Sequence, residues 1–194
     1  MDQPDIWGDN IVWQTYEDDN TEIHILNLST NQEERLTNDQ VNQIKPKIWN
    51  NWIVWQEGIE GESDCSVHLY DLQTGNVTKL GDKASSSAKS PTIWGDRVVW
   101  DDSRNGSMGN HDIYLFNLTS GNETQITTDS YAQISPSIWD DRIVWIDNRD
   151  NSQIYLYDLN SGNETCITSG DFHRESPVIY GDNVVYVNDT VVSL

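Results

Sequence analysis

Residues 136–146 read Pro-Ser-Ile-Trp-Asp-Asp-Arg-Ile-Val-Trp-Ile, and this phrase decides the fold because the chain repeats it five times. The copies are PDIWGDNIVWQ from Pro4, PKIWNNWIVWQ from Pro46, PTIWGDRVVWD from Pro91, PSIWDDRIVWI from Pro136 and PVIYGDNVVYV from Pro177. These are all five prolines of the chain, spaced 42, 45, 45 and 41 residues apart. Eight of the nine tryptophans fall in two columns: Trp7/Trp13, Trp49/Trp55, Trp94/Trp100 and Trp139/Trp145. Tyr180 and Tyr186 fill those columns in the fifth copy, and Trp52 is the exception. Self-similarity at this period marks a repeat architecture.

Inside a copy the apolar residues alternate with period two, the pattern of strands. In the fourth copy Pro136–Trp139 reads as an extended segment that opens after a proline, where a strand tolerates one. Asp140-Asp141 is a two-residue turn into Arg142–Ile146. Gln153–Leu159 and Glu164–Thr168 follow as third and fourth strands. Strand C is apolar on both sides, with Ile113 and Leu115 opposite Tyr114, Phe116 and Leu118, as in a sheet packed between two others. Four antiparallel strands in 41–45 residues predict an all-β fold, a β-propeller of four-stranded blades. A β-helix fits less well, because its coils are shorter and its strands parallel.

The expected organisation is a single propeller domain over residues 1–194, with four complete repeats starting near 4, 46, 91 and 136 and a partial fifth near 177. That remainder supplies strands at Pro177–Tyr180 and Asn183–Val187, and a third at Thr190–Leu194. A five-bladed ring with an incomplete last blade is favoured; part of a larger ring is the alternative, and self-association of two copies is a further way to complete it. Met1 stands directly against the first repeat, which reads as a domain boundary within a larger secreted protein.

The formal charge is −21, from 32 acidic and 11 basic residues. Such a surface repels phosphate backbones and anionic lipid, which excludes nucleic acid and disfavours membrane surfaces as partners. No apolar run approaches the roughly 18–20 residues that span a bilayer, and no basic-then-apolar leader starts at Met1.

The phrase I-Y-L-[FY]-[ND]-L, followed by [TN]-S-G-N-x-T-x-I-T, stands at Ile113–Thr127 and Ile154–Thr168. Together with Asp101–Gly106 and Asp147–Asn151, which are similar to an Asp-Arg-x-Gly turn between strands B and C, it resembles the blade of TolB-like propellers. The W-G-D-x-[IV]-V-W phrase is closer still to propeller repeats of archaeal cell-surface proteins. The resemblance covers essentially the whole chain, with a shorter A–B turn and no counterpart of TolB's separate N-terminal domain. It implies an interaction or scaffold module outside the cytoplasm, and names no partner.

Repetition is an internal control on candidate sites. The tryptophan columns recur in every blade, so they read as packing. Trp52 lies outside them, at the A–B turn, and is the candidate for an exposed aromatic contact. His24 and His68 share a strand C column with Tyr114 and Tyr155; His111 and His173 lack Cys or His neighbours at ligand spacing. No G-x-S-x-G elbow occurs, and the chain reads as not an enzyme and without a resident cofactor. Acidic residues crowd the B–C connections at 16–20, 57–64, 101–112 and 147–150, which predicts one negative face. If these loops hold Ca²⁺, the ligands to expect are Asp101, Asp102, Asp147 and Asp150, although no EF-hand spacing is present. Among seven N-x-[ST] sequons, Asn105 and Asn188 are the glycosylation candidates independent of the repeat. Cys65 and Cys166 read as two thiols rather than a disulfide framework.

Three functions follow. The first is a non-catalytic cell-surface scaffold or adhesion module that binds protein or glycan partners through propeller loops. The second is a TolB-like interaction module docking a partner at the central funnel, and the third an accessory propeller of a larger surface enzyme.

Overall fold

A computed structural model describes residues 2–59, 64–81, 87–105, 109–170 and 172–189, with the side chains of Asp150 and Asp189 outside that description. Among the described residues the alternating segments form eighteen strands. Repeat 1 holds β1 (Asp2–Trp7), β2 (Asn10–Glu17), β3 (Asn20–Asn27) and β4 (Gln32–Arg35). Repeat 2 holds β5 (Gln43–Trp49), β6 (Trp52–Glu57), β7 (Ser66–Asp71) and β8 (Val77–Leu80). Repeat 3 holds β9 (Ala88–Trp94), β10 (Arg97–Asp102), β11 (Asp112–Asn117) and β12 (Asn122–Gln125). Repeat 4 holds β13 (Gln133–Trp139), β14 (Arg142–Asp147), β15 (Gln153–Asp158) and β16 (Asn163–Cys166); repeat 5 holds β17 (His173–Tyr180) and β18 (Asn183–Asp189). The expected third strand at Thr190–Leu194 lies outside the described residues.

The chain divides into two compact units, residues 1–95 and 96–194, at the turn between the first two strands of repeat 3. In the first unit β1-β2-β3-β4 and β5-β6-β7-β8 are antiparallel sheets in sequence order. In the second, β10, β11 and β12 are successive neighbours, β13-β14-β15-β16 form a full sheet and β17 pairs with β18. The all-β, four-stranded expectation holds.

The A–B turns take the expected primed form, with positive φ at their first residue: Gly8 at 56°, Asn50 at 53°, Gly95 at 60°, Asp140 at 53° and Gly181 at 58°. The prolines do not open their strands, contrary to expectation. β5 and β13 begin three residues before Pro46 and Pro136, and the register shifts across Ile44/Lys47 and Ile134/Ser137. Pro46 and Pro136 therefore each sit in a β-bulge, as do Pro4 and Pro177, where the missing N–H breaks no ladder bond. The residue before the proline takes positive φ (Lys45 55°, Ser90 51°, Ser135 54°), and its N–H is held by the preceding blade. Lys45 N donates to Gln14 Oε1 at 2.7 Å, Ser90 N to Gln56 Oε1 at 3.1 Å and Ser135 N to Asp101 Oδ2 at 3.2 Å.

The tryptophan columns pack as the repeat predicts. Trp13, Trp55, Trp100 and Trp145 are buried. First-column rings pack against one another tilted by 38–51°, with centroids 3.7 Å apart for Trp7–Trp49 and Trp49–Trp94, and 3.9 Å for Trp139–Tyr180. Trp52 corrects the sequence reading: it is the first residue of β6, half-buried and paired across the ladder with Trp49 and Asp71, not a turn residue. The acidic loops are a second correction. Asp101, Asp102, Asp112 and Asp147 lie inside strands and are buried, because their carboxylates meet donors that a loop reading did not supply.

Candidate functional site

In an antiparallel blade the B–C and D–A connections emerge at the same end. In the first unit that end carries the Asp18-Asp19 hairpin, with positive φ at both residues, and the connection 36–42. Asp39 Oδ1 accepts the Val41 N–H at 2.8 Å in an Asx turn. The Asn20 amide donates to the carbonyls of Asp39, at 2.7 Å, and Val41, at 3.2 Å, and the Gln43 amide also reaches Val41 O. The second unit repeats the device. Asp129 Oδ1 accepts Tyr131 N at 3.0 Å, Asn110 donates to Asp129 O at 3.2 Å, and Gln133 donates to Tyr131 O. Next along the chain, Arg174 Nη1 donates to Phe172 O at 2.9 Å and Gln153 to Gly170 O at 2.7 Å.

Val41, Tyr131 and Phe172 all stand five residues before a repeat proline, and all three are exposed. The equivalent of repeat 2, Ser86, lies outside the described residues. Single exposed apolar residues need no explanation, but one recurring at a fixed position on a pinned loop does. Pinning removes conformational freedom before any partner arrives, so docking there loses little further entropy. Tyr16 and Ile59 add exposed apolar surface to the B–C connections of the first unit. Sequence reasoning missed this column because it weighed the prolines and tryptophans; counting back from each proline exposes it.

The Asp-Arg turns are structural clusters. Asp102 accepts from Trp100 Nε1 at 3.2 Å and from Arg104 N and Nε, both at 2.9 Å, while Arg104 also meets Glu123 and lies 4.0 Å over the Tyr114 ring. Asp147 accepts from Trp145 Nε1 at 3.1 Å and from Arg149 N, Nε and Nη2 at 2.7–3.0 Å. Arg149 also bonds Glu164 at 2.6 Å and lies 4.2 Å over Tyr155. The bond to Asp147 raises the Arg149 pKa further, and burial pushes the Tyr114 hydroxyl up to about 12.

Of the Ca²⁺ candidates, Asp102 and Asp147 thus already face arginine and indole donors. Asp101 meets His111 Nδ1 at 2.8 Å and the Ser135 N–H. The side chain of Asp150 lies outside the described residues. Among the described residues no three His, Cys, Asp or Glu side chains are grouped as a metal site.

Asn105 is exposed, and its amide donates to Tyr114 Oη at 2.6 Å and Gln125 Oε1 at 3.0 Å; Asn188 is exposed on β18 opposite Arg174. The sequon column at Asn27 and Asn117 forms Asx turns, accepting from Thr30 N and Ser120 N. Asp71 and Asp158 do the same in other copies; the Thr74 hydroxyl and the Ser161 N–H respectively lead in holding these carboxyls below the usual range.

Ser66, His68 and Glu57 come together, but the serine oxygen (3.1 Å) and the carboxylate (3.5 Å) both face His68 Nε2. A relay needs them on opposite ring nitrogens. Burial, the leading cause, lowers the His68 pKa. A cleft of about 610 Å³ in the first unit is lined by Asn10, Asn27, Asn51, Glu33, Glu34 and neighbours that include no His, Ser or Cys.

No protein-family model and no curated protein matches the chain. Solved structures do. TolB from Acinetobacter baumannii is 18% identical with a TM-score of 0.61, over 84% of this chain and 41% of that one. The acylaminoacyl peptidase of Pyrococcus horikoshii is 17% identical with a TM-score of 0.68, over 95% and 35%. A prolyl endopeptidase is 12% identical with a TM-score of 0.73, over 95% and 31%. At these identities the likeness shows the fold, a TolB-like β-propeller. The chain spans less than half of each of these three structures.

Proposed function

We propose that the chain is a non-catalytic protein-interaction module of a secreted or cell-surface protein, and that each of its units offers a partner the B–C and D–A end of its blades. One observation carries this: Val41, Tyr131 and Phe172 are exposed apolar residues at one repeat position, on loops held rigid by their own hydrogen bonds. Aromatic anchors on preorganised loops dominate protein interfaces. The charge of −21 suits a partner with a basic rim, so binding weakens as salt rises. A protein fits better than a glycan, because the inner first-column rings Trp49, Trp94 and Trp139 are half-buried against neighbouring rings and offer no open face to a sugar. Extracellular placement rests on the TolB-like resemblance; no helix of the described residues is long and apolar enough to cross a membrane.

The test is partner capture from a surface-protein extract with the wild type and a Val41→Ser/Tyr131→Ser/Phe172→Ser variant, followed by titration of the captured protein. A stoichiometric partner that the variant binds at least about tenfold more weakly supports the reading. A partner bound equally by both moves the site elsewhere, the central funnel included.

The second reading, an accessory propeller of a larger surface enzyme, is favoured by the peptidases among the similar structures. It leaves the same loop end to contact the catalytic domain. A gene encoding a hydrolase domain beside these repeats decides for it.

A further inference from the structure

In both units an isoleucine of the following blade enters the core of the one before it. In the first unit Ile48 packs in one cluster with Val12, Ile23 and Ile25 of repeat 1. In the second, Ile179 packs with Val144, Ile146 and Ile154 of repeat 4. The isoleucine of Pro-x-Ile-Trp is a knob, and the strand B and C residues of the preceding blade are its socket.

Four knobs are seated: Ile48, Ile93, Ile138 and Ile179 are 3–7% exposed. Among the described residues Ile6 is the fifth, and it is 56% exposed. Val185 and Val187 stand where Val144 and Ile146 stand one repeat earlier, yet they are 66% and 55% exposed against 0% and 5%. The stacked rings end in the same mismatch. Trp7 has Trp49 on its later side, Tyr180 has Trp139 on its earlier side, and both remain exposed. Ile11, half-buried, stands where Ile53, Val98 and Ile143 are inaccessible.

We infer that β1 of one copy of this chain seats Ile6 and Trp7 on the exposed β17–β18 face of a second copy. The occupant is another copy because the repeat specifies a Pro-x-Ile-Trp strand for that face, and β1 is the one left uncovered. The two surfaces differ, so the contact is heterologous and each pair keeps one free surface of each kind.

The joint lacks the polar clamps of the internal ones. Ile48 N donates to Asp5 Oδ2 at 2.8 Å and Ile179 N to Ser137 Oγ at 3.2 Å, whereas Val178 occupies that position on the free face. Val187 likewise replaces the acceptors Gln14, Gln56 and Asp101. Apolar burial holds the joint against repulsion between two chains of charge −21, so association is concentration-dependent and salt strengthens it.

Sedimentation of the whole chain, over a wide concentration range at low and high salt, tests this. The expected mass rises to at least twice 22.2 kDa. Ile6→Glu and Val185→Glu each return it to the monomer with an unchanged circular dichroism spectrum, since both positions are exposed. Mixing the two variants restores a dimer and nothing larger, because one supplies the intact β1 and the other the intact β17–β18. A monomer at every concentration overturns the inference. So does association that survives both substitutions, or a mixture that stays monomeric. Tyr131→Ser leaves the mass unchanged, which separates this contact from partner binding.

Discussion

In repeats 1 and 2 the buried second-column indole donates to a neutral oxygen and stacks on an imidazole. Trp13 reaches Thr15 Oγ1 at 2.9 Å over His24, and Trp55 reaches Gln43 Oε1 at 2.6 Å over His68. In repeats 3 and 4 the same indole donates to a buried carboxylate, Asp102 or Asp147, and stacks on a tyrosine. An arginine two residues further on then neutralises the carboxylate and lies over that tyrosine. The indole's place in the blade is common to all four; the group that satisfies its N–H is not. A neutral acceptor can be lost with little electrostatic consequence. A charged one needs its donors, because the carboxylate left alone is a buried ion.

The largest effect follows from that asymmetry. Arg104→Ala leaves Asp102 inaccessible to water and without its cation, and costs about 3–5 kcal/mol. Gln43→Ala removes the neutral acceptor of repeat 2 and costs about 1–3 kcal/mol. Urea unfolding of the two variants beside the wild type reads the difference. Equal costs would mean that the arginine acts by packing alone.

What the sequence made legible follows the same line. Alternation and the proline period gave the blade, the turn doublets and the buried tryptophans, since these depend on near-neighbour geometry that every copy repeats. It misplaced Trp52, which directly follows the turn pair Asn50-Asn51 and opens β6 in the ladder instead of belonging to the turn. It misread Asp102 and Asp147 as loop carboxylates because acidity suggests solvent, and their burial depends on Arg104 and Arg149 folding back onto them. The pinned loop residues were invisible for a similar reason. Val41, Tyr131 and Phe172 differ in type, and only the hydrogen bonds around them show that they stand on equivalent pinned loops.

A finer cut compares the indoles themselves. Trp145→Phe deprives the Asp147 carboxylate of one donor while Arg149 stays in place, a loss of about 1.5–3 kcal/mol for a charged hydrogen bond. Trp13→Phe frees a half-buried threonine hydroxyl that water can reach, so its cost stays below about 1.5 kcal/mol. Thermal unfolding of the pair measures the gap, and a Trp13→Phe variant as unstable as Trp145→Phe would remove the distinction between neutral and charged acceptors.

The smallest effect is a pH dependence confined to repeat 2. Burial lowers the His68 pKa from its ordinary 6.5, with Glu57 pulling the other way. Below pH 6.5 the unfolded chain takes up a proton that the native imidazole resists. The stability that neutral His68 contributes is therefore present above pH 6.5 and is lost as the pH falls through that value towards the folded-state pKa. His68→Tyr installs the residue that repeats 3 and 4 carry at this position, which keeps the ring on Trp55 and titrates far above this range. The melting temperature of the variant should then fall less than that of the wild type between neutral and mildly acidic pH. Carboxylates elsewhere titrate alike in both proteins, so the difference between the two slopes isolates His68. Parallel slopes would show that the imidazole in this column is as indifferent to pH as the tyrosines that replace it.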